Sequence, residues 1–215
     1  MSQPLGALRL AVLASGGGTN LGAIFRAIDA KALDAQVVAV ISNRPDAGAL
    51  ERARERGVRA VVVPHKEFAT RELFDAALVR EIRDARAEWV VLAGFMRLVT
   101  PVLLDAFPLR VINVHPALLP AFPGAHAHRD ALGYGVRVSG CTVHFVDAGA
   151  DTGPIIAQAA VMVSPDDTVE TLAARVLVEE HALLPKVLQW IVEGRVTVQV
   201  RGEGERPAVR IRTKS

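Results

Sequence analysis

Chemistry concentrates in the 215-residue sequence at Asn113-Val114-His115-Pro116, where an apolar run ends. Alternation along a strand puts Asn113 and His115 on one side and Val114 on the other. An amide that donates and an imidazole that titrates suit oxyanion stabilisation and proton movement. A strand-end histidine capped by backbone explains the same residues without chemistry. Farther on, Asp147 and Asp151 lie in a stretch that also holds Gly149 and Gly153. A carboxylate beside an imidazole favours the charged ring. Asp and Gly are also ordinary turn formers, and turn chemistry is the preferred reading of this stretch taken alone.

A second candidate is Ser15-Gly16-Gly17-Gly18-Thr19-Asn20, between a strand-like run and a helical one. Glycines let backbone N–H groups approach an anion, and a helix start adds a favourable dipole. The segment reads as a phosphate site or as a ligand-free tight turn. It fits neither the P-loop nor the dinucleotide fingerprint, since no Lys-Ser/Thr follows and Leu21 stands where the third glycine would fall. Gly94-Phe95-Met96-Arg97-Leu98-Val99 could wall a slot for a flat ring, although core packing explains it as well. His126-Ala127-His128 is a weak metal signal, because no HExxH or Cys set accompanies it, and no metal is expected. His144 reads as buried or structurally hydrogen-bonded, and Cys141 as a buried, inert thiol.

The elements that must position these residues follow from apolar periodicity. Strand-like runs occur at 8–14, 35–42, 58–64, 89–94 and 109–115. Helical spacing falls after residue 18, over 49–57, from Thr70 to about Ala87, and over 101–107. Continuous apolar strands alternating with helices predict a parallel sheet covered on both faces. Only a short turn separates 138–146 from 154–163, so that pair is predicted antiparallel. Asp167 and Glu170 mark a capping-box-like start for a long helix to about Glu193, kinked at Pro185. The last residues read as a weak strand or a loose tail. The expected fold is an α/β, Rossmann-like open sheet, mainly parallel with an antiparallel C-terminal part. The expected organisation is one domain over 1–200 and a basic tail over 201–215.

Composition narrows the function classes. The chain carries 25 Lys and Arg against 23 Asp and Glu, and 51% of it is hydrophobic, which argues against disorder as the main state. A single Cys excludes an internal disulfide framework. No apolar run reaches about 18 residues, so no membrane span is expected. No signal peptide is read at the N-terminus, which makes the cytoplasm the default. The basic excess is local: residues 201–215 hold five Lys or Arg and two Asp or Glu. Aromatics are only 5%, too few for a basic face with interleaved aromatic rings, so nucleic-acid binding is not expected.

Taken together, LASGGGTNL, ISNRPDAGALERARERG, FATRELFD, VVLAGFMRLVTP, NVHPALLPAFPGAHAHRDAL, GCTVHFVDAGADTGPII and EEHALLP resemble the phosphoribosylglycinamide formyltransferase family over about residues 8–195. That resemblance implies transfer of a formyl group from 10-formyltetrahydrofolate, the cosubstrate, to the glycine amine of glycinamide ribonucleotide in purine synthesis. It implies Asn113, His115 and Asp151 as catalytic residues. It implies Gly18, Thr19, Asn20 and Arg71 around the substrate, and Glu180 on its amine. It implies Met96, Arg97, Leu98 and Val99, with Asn113, at the folate. The implied partners are small molecules alone, with the chain a monomer or homodimer. Ala127 departs from a hydroxyl residue found in some relatives, and Gly149-Ala150 leave the folate loop to act through backbone. The basic tail is outside the family pattern. The alternative on the same core is formyltetrahydrofolate deformylase, in which water replaces the amine. It is disfavoured by a first strand starting near residue 8, where that enzyme carries a further N-terminal domain, and by the 126–128 segment.

Overall fold

The computed structural model describes residues 7–199, 202 and 205–213. Seven strands form one sheet in the order β3-β2-β1-β4-β5-β6-β7. They are β1 (Leu8–Leu13), β2 (Ala35–Ser42), β3 (Arg59–Val62), β4 (Trp89–Leu92), β5 (Val111–His115), β6 (Val138–Phe145) and β7 (Ile155–Met162). The helices are α1 (Thr19–Asp29), α2 (Gly48–Glu55), α3 (Arg71–Asp84), α4 (Pro101–Ala106), α5 (Ala127–Tyr134) and α6 (Val169–Val192). Strand β1 pairs in parallel with β2 and β4, and β2 with β3. Strands β6 and β7 are antiparallel, as the short turn between them requires.

The chain divides into two compact units, up to Ile112 and from Asn113 on, so the division falls within β5. In the first unit, β1 lies between β2 and β4, and Leu10, Ala11, Val12 and Leu13 are fully buried. A strand with apolar residues at consecutive positions can be satisfied only when both of its faces are covered. Helix α3 starts where Thr70 Oγ1 accepts the Leu73 N–H at 3.2 Å, and α4 starts at Pro101, whose missing N–H costs nothing there.

In the second unit two expectations shift. The cap of α6 is Thr168, with Thr171 as its reciprocal partner, one residue later than Asp167 and Glu170. Asp167 is engaged elsewhere: its carboxylate accepts the Ser164 N–H at 2.7 Å and pairs with Arg175. Helix α6 contains Pro185 and runs to Val192, close to the expected end at Glu193. Helix α5 escapes the periodicity reading because it is eight residues long and buries only Ala127 and Ala131. The closing residues include a strand, β9 (Ala208–Ile211), antiparallel to β8 (Val196–Gln199). Residue 200 and residues 201, 203, 204, 214 and 215 of the expected tail lie outside the described residues. None of the described helices is long and apolar enough to cross a membrane.

Gly18 leaves no room for a side chain beside α2. Its φ is +70°, and a Cβ there would lie 2.7 Å from Ala49 Cα. Gly18→Ala therefore combines a left-handed backbone penalty with a backbone clash. It is expected to cost at least about 2 kcal/mol, about 4–8 °C in Tm for a chain of this size. Thermal melts of the two proteins check it.

Candidate active site

The second unit gathers three side chains and one backbone N–H around one carboxylate. Asn113 and His115 both meet Asp151, so alternation along β5 does put them on one side. Asp151 sits in the β6–β7 turn at φ +56°, a conformation uncommon for a residue with a side chain. Its Oδ2 accepts the Gly124 N–H at 2.8 Å and lies 3.4 Å from His115 Nδ1. Its Oδ1 lies 3.4 Å from Asn113 Nδ2 and 3.7 Å from His144 Nε2. His115 is 4% exposed, and its Nε2 donates to the Phe122 carbonyl at 2.8 Å. The two aspartates of this turn divide the labour. Asp147 Oδ1 accepts the Gly149 N–H at 3.1 Å and the Thr152 hydroxyl at 2.7 Å, which is turn chemistry.

His144 is buried and structurally bonded, as its strand position predicts, but its role reaches further than the sequence revealed. The Phe145 carbonyl lies 2.8 Å from its Nδ1, so that nitrogen carries the proton. Burial holds its pKa below the ordinary imidazole value, which keeps the ring neutral and its Nε2 an acceptor. Asn113 Nδ2 donates to that Nε2 at 3.2 Å. The orientation of the Asn113 amide is thus set by His144: nitrogen towards His144 and Asp151. Thr142, two residues earlier on the same face of β6, accepts the Leu119 N–H at 3.0 Å and donates to the Ala117 carbonyl at 2.6 Å. A buried polar pair at i and i+2 near the end of a largely apolar strand is the signal that could have found both.

An amide donor, an imidazole donor and a carboxylate acceptor are the parts needed to stabilise an oxyanion and to relay a proton. Elsewhere in this unit, Glu180 is 7% exposed on α6. Its charge is the second cause, after burial, that pushes the Cys141 thiol up to about 12, so Cys141 stays protonated and inert. His128 is half-buried, its pKa lowered by burial and then by the charge His115 can carry, while His126 is exposed. Among the described residues no group of three or more His, Cys, Asp or Glu is arranged to hold a metal ion.

The first unit carries the remaining candidates. Gly18 is the N-cap of α1 with no side-chain cap, Thr19 is exposed and Asn20 buried. The first turn of α1 contains no acidic residue, which leaves its positive dipole end open to an anion. Arg71 is exposed at the first position of α3. After β4, Met96 and Leu98 are 66% and 57% exposed, Arg97 is half-buried and Val99 is buried. The exposed pair gives this segment an apolar surface, and the Met96 N–H is fixed to Ser15 Oγ at 2.9 Å.

Residues 8–188 match the model of the formyl transferase family. A trifunctional purine biosynthetic protein adenosine-3 of Drosophila melanogaster is 45% identical over 192 residues, which is 88% of this chain. The chain spans only 14% of that protein's length. A phosphoribosylglycinamide formyltransferase of Escherichia coli is 42% identical over 88% of this chain and 89% of its own. Among solved structures, glycinamide ribonucleotide transformylase 1 from Symbiobacterium toebii superposes with a TM-score of 0.90 at 48% identity, covering 95% of this chain and 93% of that one.

The neutral His144 has a consequence for stability. Its folded-state pKa lies below the ordinary value of 6.5, so between the two values the unfolded chain binds more protons. Stability is therefore fully present above that value and is lost as pH falls below it. Melting temperature is expected to drop between pH 7.5 and 5.5, and His144→Gln is expected to flatten that drop. Melts of both proteins across the range test it, and equal slopes would remove His144 as the cause.

Proposed function

The chain belongs to the formyl transferase family, and on that premise we propose that it transfers the formyl group of 10-formyltetrahydrofolate to the glycine amine of glycinamide ribonucleotide. The products are formylglycinamide ribonucleotide and tetrahydrofolate. The observation that carries this reading is the buried strand end where Asp151 meets both Asn113 and His115. The substrate amine is itself the nucleophile, which agrees with an arrangement that offers no activated Ser or Cys.

In this reading the amine nitrogen bonds to the formyl carbon, and the carbonyl electron pair moves to oxygen. His115 Nε2–H then exchanges the Phe122 carbonyl, a neutral acceptor, for that oxygen. The bond strengthens as the oxygen becomes anionic, so it favours the transition state over the bound reactant. Asn113 has two N–H groups. His144 holds one at 3.2 Å, and the other, only 3.4 Å from Asp151, is the one to give up to the oxyanion. Asp151 stays anchored by the Gly124 N–H, orients His115, and carries the proton from the attacking amine toward the leaving folate nitrogen. The bond from the formyl carbon to that nitrogen breaks as the tetrahedral centre collapses.

Gly18, Thr19 and Asn20 take the substrate phosphate, Arg71 lies near the substrate, Glu180 takes its amine, and Met96–Val99 the folate. We place the reaction in the cytoplasm, with small molecules as partners and the chain as a monomer or homodimer.

A spectroscopic assay for the tetrahydrofolate product tests the reading. Product is expected only when glycinamide ribonucleotide is present; formation at the same rate without it would mean hydrolysis by water instead. His115→Ala is expected to lower kcat by about a hundred- to ten-thousandfold with substrate binding retained. Retained turnover would remove His115 from the chemistry.

A further inference from the structure

The loop between β1 and α1 is held from behind in a way that decides where its amides point. The Gly16 carbonyl accepts the Ala49 N–H at 3.1 Å, and the Gly17 carbonyl accepts the Arg52 Nε–H at 2.8 Å. Ala49 and Arg52 are three residues apart on α2, hence on one face of that helix. Both peptides are trans, and a trans peptide holds its C=O and N–H in opposite directions across one plane. With both carbonyls turned into α2, the Gly17 and Gly18 N–H groups point away from it. Neither donates to a partner among the described residues. The amides of the first turn of α1 follow directly, the first intrahelical bond being Gly22 N–H to the Gly18 carbonyl at 2.9 Å.

We infer that Arg52 is a positioning residue: by holding the Gly17 carbonyl it aims the Gly18 N–H into an anion cradle for a phosphomonoester. The inference rests on the phosphate role given above to this loop. A Gly-Gly peptide is easy to rotate, because neither neighbour has a Cβ to resist it. Rotated, it would present its carbonyl oxygen to the anion, and one attractive contact would become a repulsive one. The Gly16 carbonyl is secured by backbone, so residue type at 49 matters little to it. The Gly17 carbonyl is secured by a side chain alone, so its orientation depends on residue 52. The space is built for this: Gly18 lets α2 come close, and at Gly22 a Cβ would still lie 3.6 Å from Arg52 Nη1.

Two substitutions separate positioning from charge. Gln Nε2 stands at the same number of bonds from the backbone as Arg Nε, so Arg52→Gln keeps the donor and removes the charge. Arg52→Met keeps the length and removes both. Arg52→Met is expected to raise the KM for glycinamide ribonucleotide about tenfold, the worth of a hydrogen bond to a charged group, and to weaken inorganic phosphate similarly by calorimetry. Arg52→Gln should stay within about threefold of the parent in both. The folate KM and kcat should hold in both variants, which a general loosening of the fold would not allow. Equal losses in the two variants would overturn the inference, since charge would then be what matters. So would an Arg52→Met protein that binds phosphate like the parent, or a parent that binds no phosphate at all. A parent that formylates nothing yet shows the Met–Gln split in phosphate binding would overturn the functional reading and leave the Arg52 assignment standing.

Discussion

The Asp151 carboxylate is the interaction on which the rest of the second unit depends. Two oxygens receive or approach four groups: the Gly124 N–H, His115 Nδ1, the Asn113 amide and His144 Nε2. A carboxylate withdrawn from solvent is costly unless its lone pairs are used, and here the Gly124 N–H and the Asn113 amide use them. The positive φ of Asp151 has its reason in this arrangement, since the turn must bend back to present the side chain to the end of β5. Gly153 lets it do so: a Cβ there would lie 1.8 Å from the Phe145 carbonyl.

The first unit solves a different problem with backbone. Its glycine loop, its Ser15 and its β4 loop are tied together by short bonds: Ser15 Oγ donates to Asn43 Oδ1 at 2.6 Å and accepts the Met96 N–H at 2.9 Å. Beneath them, Asp75 is buried and takes the Thr100 N–H at 2.5 Å, with burial pushing its pKa up. Amides and apolar side chains can bind only if they are held still, and these bonds do the holding.

Much of this was legible in the sequence, because the parallel strands are continuous apolar runs and the alternation at 113–115 is unambiguous. Residue type alone leaves Asp151 as one of two turn aspartates, and only the family resemblance singles it out. Which of them faces His115 depends on the turn's backbone, and no residue type announces that. The Phe122 carbonyl and Gly124 N–H could not be read at all, since every residue offers a carbonyl and nearly every residue an N–H. His144 looked structural and is so, but its effect on Asn113 appears only when β5 and β6 are seen as neighbours. Thr168 was missed by one position because Asp167 has Arg175 to pair with. Nothing in the sequence singles out Arg52, because its target is a carbonyl 35 residues away.

The account's central claim is that Asp151 organises the reacting groups rather than binding a substrate. Single-turnover formyl transfer by Asp151→Asn, with both substrates saturating, measures this most directly. The account predicts a rate reduced at least about a hundredfold while both substrates still saturate near their parental concentrations. An unchanged rate, or a loss recovered entirely by raising either substrate, would contradict it.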